Sequence, residues 1–397
     1  MLFLSFCMPP LKYPRSIQIS RLIKNMTVKP SVIYADEKTN LDFTIIDDFD
    51  QYVKSKIQIP FQKNNRYFSY MKRIFFPMFY QTPDLQKYWA NKLFIIANEQ
   101  VEKNNEDIIV TFGQPMSVHL AGLKLKKKNP NIKWIAHFSD PWVNNPLDNK
   151  GFLVKIINKY LEKNVFKYAD TLIFTSKETI DLIKEKNPSL SEYKIKYLSH
   201  SYDSSNYDYS VKNETKNFII RYIGGFYSQR SPKPLFEAIS SIVKSDKKLL
   251  NNVLFEIIGN LGRHSSLLKD YEDIHAYINF IDNVTYKTSL KLMVSSDVLL
   301  VIDAPSKKSI FFPSKLVDYI GSKKPIVAIT PEGTTKRIIN ELDGKTADPS
   351  DIDAIVYMLK DILFNKNSYK SFVPNNNYLK YDAAIVAQEF MDIIENV

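Results

Sequence analysis

The chain has 397 residues, 44% hydrophobic and 24% charged, which suits two domains with full cores and excludes a disordered or fibrous chain. One cysteine, Cys7, rules out an intrachain disulfide framework and fits a reducing compartment. A net charge of +11 suits anionic ligands or surfaces, yet the basic residues form no long tract of the kind nucleic-acid tails carry.

No apolar run approaches the roughly 18 residues of a spanning helix. The start, Leu2 to Met8, is apolar without a basic n-region or a cleavage site, so it reads as an opening strand. The loop Pro9 to Ser16 follows, then helical spacing over Ile17 to Ile23. Arg15 in that loop either meets an anionic acceptor or phosphate, or is a solvated loop arginine. Ser31–Ala35 and Phe43–Ile46 read as short strands. Lys63 to Tyr80 alternates bulky aromatics with Arg66, Lys72 and Arg73 and has no acid. It is either a membrane-surface contact or a buried loop with snorkelling basic tips.

Asp84 to Asn104 carries a helical apolar stripe through Leu85, Trp89, Leu93, Ile96 and Val101. Asp107–Gly113 is a strand, Pro115 opens a helix that ends in Lys126-Lys127-Lys128, and Lys133–His137 is a strand running into Asp140-Pro141-Trp142. Gln114, His119, His137 and Asp140 all lie at strand ends or the following helix start, where open α/β sheets bind ligands. An amphipathic stretch (Leu153–Phe166), a strand (Ala169–Ser176), a helix (Lys177–Lys186) and a last strand (Ile195–His200) follow. The polar stretch 201–216 has no periodicity and reads as a linker.

Phe218 to Ile223 is a strand that meets Gly224-Gly225, with Arg230 before the next helix. Glycines between strand and helix let backbone amides approach phosphate. Strands at Leu254–Gly259 and Ile278–Asp282 and a helix near Leu290 lead to Val298–Ile302, an apolar run suited to a strand buried on both faces. Asp303, Pro305 and Ser306 end it. Pro313 suits a first helical position, Leu316, Tyr319 and Ile320 give the helix an apolar face, and Gly321 stops it. Lys315 stands in the first turn, where the macrodipole disfavours a cation. Either it pairs on the surface with Asp318, or it meets a phosphate at the helix N-terminus while Asp318 accepts from a ribose hydroxyl. Ile326–Ile329 is a strand, Lys336–Leu342 a helix and Tyr381–Val397 a final amphipathic helix. Strands and helices alternate throughout, which makes an α/β protein with parallel sheets; the residues alone stop at a nucleotide or phosphate ligand in a crevice.

The segment Pro313-Ser-Lys-Leu-Val-Asp-Tyr-Ile-Gly-Ser-Lys-Lys-Pro-Ile-Val-Ala328 resembles the nucleotide-sugar motif of GT-B glycosyltransferases, in particular the large retaining family 4. The strand, Gly113-Gln-Pro, helix, strand, Asp140-Pro-Trp run resembles the N-terminal domain of bacterial members that build surface polysaccharides. The resemblance implies two Rossmann-like domains facing a central cleft. Residues 1–200 form the acceptor side, 201–216 the linker, 217–377 the nucleotide-sugar side, and 378–397 a helix crossing back.

It also implies sugar transfer from a nucleotide diphosphate sugar to a glycan or lipid-linked acceptor in the cytoplasm, either free there or at the inner face of the membrane, with no metal, cofactor or nucleic acid. Arg230, Lys315, His137 and Asp140 take the catalytic places. Gly224, Gly225, Ser314, Asp318 and Ile281 hold the donor, and Arg15, Gln114 and His119 face the acceptor. Two positions depart from the pattern. Ile310 stands where the family has a second acid, and Gly225 where it has an earlier basic residue. A 2-epimerase of the same fold and a catalytically weak scaffold member remain as alternatives.

Overall fold

A computed structural model describes residues 1–46, 48–61, 82–143, 151–226 and 229–397. The chain forms two compact units, Met1–Ser199 with Val386–Val397, and His200–Ile385. The fold is α/β throughout, with one parallel sheet per unit.

In the first unit the strands are β1 (Leu2–Leu4), β2 (Ser31–Asp36), β3 (Ser55–Pro60), β4 (Ile108–Phe112), β5 (Lys133–Phe138), β6 (Thr171–Phe174) and β7 (Ile195–Tyr197). Their order is β3-β2-β1-β4-β5-β6-β7. Every pair is parallel, for example Phe112 opposite His137. The helices are α1 (Pro14–Asn25), α2 (Lys87–Asn104), α3 (Ser117–Lys128), α4 (Phe152–Tyr168) and α5 (Lys177–Lys186). Central strands are buried on both faces, as crossover helices require.

The second unit holds β8 (Phe218–Ile223), β9 (Val253–Ile258), β10 (Ile278–Ile281), β11 (Val298–Ile302), β12 (Ile326–Ile329) and β13 (Lys345–Ala347). Their order, β10-β9-β8-β11-β12-β13, is again doubly wound. The helices are α6 (Lys233–Asp246), α7 (Tyr286–Val294), α8 (Ser314–Gly321), α9 (Thr334–Glu341), α10 (Ile352–Phe364), α11 (Lys366–Lys370) and α12 (Ala383–Glu395). From Val386 onward α12 belongs to the first unit, where Val386, Phe390 and Ile394 are buried with Phe3, Ile19 and Leu22.

Several expectations are corrected. Phe43–Ile46 is a turn with Phe43 73% exposed, and the outer strand is instead β3, whose residues are mostly exposed. An edge strand lacks the apolar run that marks a central one. The opening strand stops at Leu4, although the chain stays buried through Met8. Pro313 is the N-cap of α8 rather than its first residue. The stretch 201–216 packs within the second unit. Tyr202 is fully buried and pairs through backbone hydrogen bonds with Tyr381 and Ala383. Tyr207 and Tyr209 donate to the carbonyls of Asp318 and Gly321, satisfying the orphan C-terminal end of α8. A Cβ at Gly321 would overlap Tyr207, so the stretch and the helix are fitted to each other. The membrane expectation at 63–80 lies outside the described residues.

Candidate functional site

In the second sheet the strand order reverses direction between β8 and β11. Open α/β sheets bind ligands in the crevice beyond the strand ends at such a point. The residues there come from the turn after β8, the end of β11 and the first turn of α8.

Gly224 follows β8 with φ +135°, a backbone shape that side chains rarely adopt. Its amide donates to the Ile258 carbonyl at 2.8 Å. A Cβ at Gly259 would lie 2.8 Å from the Gly224 carbonyl, so two strand-end turns are packed backbone to backbone. Tyr319 locks the end of β8 to α8: its hydroxyl accepts from the Ile223 amide at 2.7 Å.

Lys315 reaches out of the first turn of α8 toward this turn. A Cβ at Gly224 would lie 2.9 Å from Lys315 Nζ. That nitrogen sits 3.9 Å from the centre of the Tyr222 ring. It is buried and has no hydrogen-bond partner among the described residues. Burial pulls the lysine well below its ordinary pKa; Arg230 adds to this and Asp303 opposes it. A buried ammonium with three donors and no acceptor is a costly arrangement for the free protein. An anionic ligand removes that cost. The N-cap, Pro313, makes no side-chain capping bond to the helix.

Arg230 is held by Asp303, Nη2 to Oδ1 at 3.4 Å, and Thr330 donates to the other carboxylate oxygen at 2.9 Å. Asp303 is the first residue after β11 and is 5% exposed. Asp318 accepts from the Tyr286 hydroxyl at 3.3 Å. Lys315 and Asp318 therefore do not form the surface pair that their spacing allowed. Ser314 opens α8. The Ile281 carbonyl is used inside the sheet by the Gly259 amide at 2.8 Å. Gly225 is half-buried beside the Asn260 carbonyl, and Ile310 is buried.

The first unit gathers a second constellation at the ends of β4 and β5. Arg15 is buried in α1, not solvated in a loop. Its Nε donates to the Gly113 carbonyl at 3.2 Å, and Nη2 to the His137 carbonyl at 3.0 Å and ring Nδ1 at 2.9 Å. A guanidinium only donates, so Nδ1 accepts and a neutral His137 carries its proton on Nε2. Desolvation lowers the Arg15 pKa to about 10, against the opposing pull of Asp140. Gln114, with φ +67°, is exposed and donates to the Asp140 carboxylate. Burial raises the Asp140 pKa, while Gln114 and Arg15 oppose the rise.

His119 is placed differently from these four. It is fully buried, its Nδ1 meets the Thr111 hydroxyl at 2.8 Å, and its ring lies 4.2 Å from that of Phe138. Burial, aided by Arg15, pushes its pKa down to about 3. Asp303, Thr330, Tyr222 and Tyr286 join the second unit's constellation without being expected there from the sequence. Asp303 was the one with a signal, an acid directly after a fully buried strand at the crevice edge.

Among the described residues no group of three or more His, Cys, Asp or Glu side chains is arranged to hold a metal ion, and no helix is long and apolar enough to cross a membrane.

No protein-family model matches the chain, and no curated protein matches its sequence. Solved structures do match over the full length. A glycosyltransferase from Rickettsia africae ESF-5 superposes with a TM-score of 0.67 at 14% identity, covering 100% of this chain and 98% of that one. Anabaena HepE in complex with UDP-glucose gives 0.66 at 13%, covering 100% and 99%. A putative UDP-N-acetylglucosamine 2-epimerase from Listeria monocytogenes gives 0.61 at 12%, covering 99% and 95%. At this identity the likeness establishes the fold: GT-B, two Rossmann-like domains.

Proposed function

We propose that this protein transfers a sugar from a nucleotide diphosphate sugar to an acceptor hydroxyl. The observation that carries the reading is the buried Lys315 ammonium, which lacks a hydrogen-bond acceptor among the described residues beside Gly224 at the switch point. Such a cation matches a diphosphate. In the reaction the bond from the anomeric carbon to the diphosphate breaks and a bond to the acceptor oxygen forms, with release of the acceptor proton. Negative charge grows on the leaving diphosphate. Lys315, Arg230 and the amides of Gly225 and Ser314 stabilise it, and groups fixed in place beforehand do this best. Gly224 keeps the turn narrow enough for Lys315 to lie against it. Asp318 accepts from the ribose, and the backbone at Ile281 lies towards the base.

On the first unit, Asp140 and Gln114 receive a glycan or lipid-linked acceptor. His137, with Arg15 behind it, takes its catalytic place on the motif resemblance. Retention of configuration, independence from metal, and a place in cell-surface polysaccharide synthesis at the inner face of a membrane rest on the motif resemblance. The structural likeness to enzymes that include a UDP-glucose complex supports a nucleotide-sugar donor.

Thermal unfolding against a panel of nucleoside diphosphates and their sugars tests the donor site. A ligand at a hundred times its Kd adds about 2.7 kcal/mol. A raised midpoint with one base, lost in Lys315→Ala, is expected; no shift with any of them overturns the reading. The epimerase in the structural comparison favours one alternative, a nucleotide-sugar 2-epimerase. It would release an altered nucleotide sugar without any acceptor. The apolar, buried Ile310 supports a third, a binding scaffold, for which donor binding without turnover is the signature.

A further inference from the structure

Helix α4 carries an outward face that the donor site does not use. Its inward positions are Val154, Asn158, Glu162, Val165 and Phe166, all buried. Its outward side presents Phe152 at 77% exposure, Leu153 at 59%, Ile156 at 49% and Tyr160 at 68%. With 3.6 residues per turn, these four fall within one stripe along the first three turns. Lys155 and Lys159 are exposed on the adjoining side of that stripe, and Lys163 and Lys167 are exposed along its continuation toward the C-terminal end of the helix. The helix has one acid, Glu162, and that acid is turned inward, where it accepts from the Val143 amide at 3.0 Å. Next to α4, Lys127 of α3 lies 4.7 Å from the Tyr168 ring centre and extends the basic margin.

Four large apolar side chains in one exposed stripe need a partner, since soluble surfaces seldom group them. Charge decides which partner. A second copy in a two-fold contact would bring these lysines against the same lysines, with no outward acid on the helix to pair with them. A nucleic acid would meet the lysines but leave the apolar stripe in water. A surface that is anionic outside and apolar just beneath satisfies both halves, with Phe and Tyr at the boundary.

We propose that α4 docks the protein on an anionic lipid bilayer, lying in the plane of the headgroups with Phe152, Leu153, Ile156 and Tyr160 inserted and the lysines among the lipid phosphates. This inference stands apart from the donor chemistry, because it uses only an exposed helix face of the first unit. It requires no spanning segment.

Co-sedimentation of the full chain tests it, using vesicles of phosphatidylglycerol and phosphatidylcholine in equal amounts against pure phosphatidylcholine vesicles. Binding to the first and not to the second is expected, with loss on raising the salt. Lys159→Gln and Lys163→Gln each weaken binding about fivefold, the effect of roughly 1 kcal/mol per lysine near a charged membrane. Phe152→Ser with Ile156→Ser abolishes it. The altered residues are exposed, so an unchanged melting midpoint is expected and serves as the folding control. Tyr193→Ser, at another exposed aromatic, leaves binding unchanged. Absence of vesicle binding overturns the proposal. So does binding that these α4 variants do not alter. Concentration-dependent dimers in light scattering, lost in Phe152→Ser with Ile156→Ser and unaccompanied by vesicle binding, overturn it in favour of a second copy.

Discussion

Lys315 Nζ lies 3.9 Å above the Tyr222 ring, with no hydrogen-bond acceptor among the described residues. A cation–π contact returns about 0.5–2 kcal/mol, whereas leaving a buried charged group unsatisfied costs about 1–3 kcal/mol or more. The cost wins, so the free protein is destabilised by its own lysine. Lys315→Met is expected to raise the melting midpoint of the ligand-free protein by about 1 kcal/mol of stability and to abolish the midpoint shift given by nucleoside diphosphates. A lower midpoint would mean that Lys315 has a partner within the fold. The sign with pH follows. The folded pKa lies below the ordinary value of 10.5. Unfolded chains therefore bind more protons in the window below 10.5, and wild-type stability relative to Lys315→Met rises with pH through it.

Turnover is expected to fall at least about tenfold, ~1.4 kcal/mol of barrier, in each of Arg230→Ala and Lys315→Ala. Asp303 holds Arg230 from behind and is itself held by Thr330. Asp303→Ala leaves the Arg230 guanidinium without its carboxylate partner and costs stability of about 3–5 kcal/mol, more than Arg230→Ala does. Denaturant unfolding of the two variants side by side checks the order.

Gly224→Ala puts a methyl group 2.9 Å from Lys315 Nζ at φ +135°. Donor binding is expected to be lost while most of the fold survives, because the lysine's far end is displaced rather than a backbone. Gly333→Ala is the contrast. There the added carbon overlaps the Ser309 carbonyl, and a backbone has nowhere to go. Loss of soluble protein is expected for Gly333→Ala and not for Gly224→Ala, read from expression and circular dichroism.

His119, with a folded pKa near 3, stays neutral at neutral pH. Its unfolded value is about 6.5. Between those limits the unfolded chain takes up a proton that the folded one refuses, so stability falls as the pH drops. The slope approaches about 1.4 kcal/mol per pH unit for this one group. His119→Gln is expected to flatten the decline between pH 6.5 and 3 in urea-unfolding measurements, which fails if His119 reaches solvent in the native state.

Cys7 is buried and its pKa is raised to about 12 by desolvation. A thiol this far from ionisation is inert. A thiol-reactive dye is expected to label the native protein negligibly and the urea-unfolded protein fully, one label per chain. Rapid native labelling would mean that the segment after β1 opens.

How much was legible in advance differs between the two constellations. The strand Val298–Ile302 and the strand Ile326–Ile329 were read to the residue, because an apolar run buried on both faces is a local pattern bounded by turn residues. Gly224 and Lys315 stand out in the sequence because glycine turns and helix first turns are local patterns, and Asp318 because it lies one turn beyond Lys315. Arg15 and His119 were not readable in the same way. Both sit near strand ends, yet one turns inward to bridge Gly113 and His137 and the other fills a core position against Thr111 and Phe138.

The sequence by itself therefore determined the alternation of strands and helices and the positions of most turns, because these depend on neighbours within a few residues. Tertiary structure alone decided that Lys315 meets Tyr222 rather than Asp318, that Asp303 holds Arg230, and that the tyrosines of 201–216 close the end of α8. Those partners are tens to more than a hundred positions apart. They meet only because a doubly wound sheet sets β8 beside β11, and strand order is a property of the whole fold that no local pattern carries.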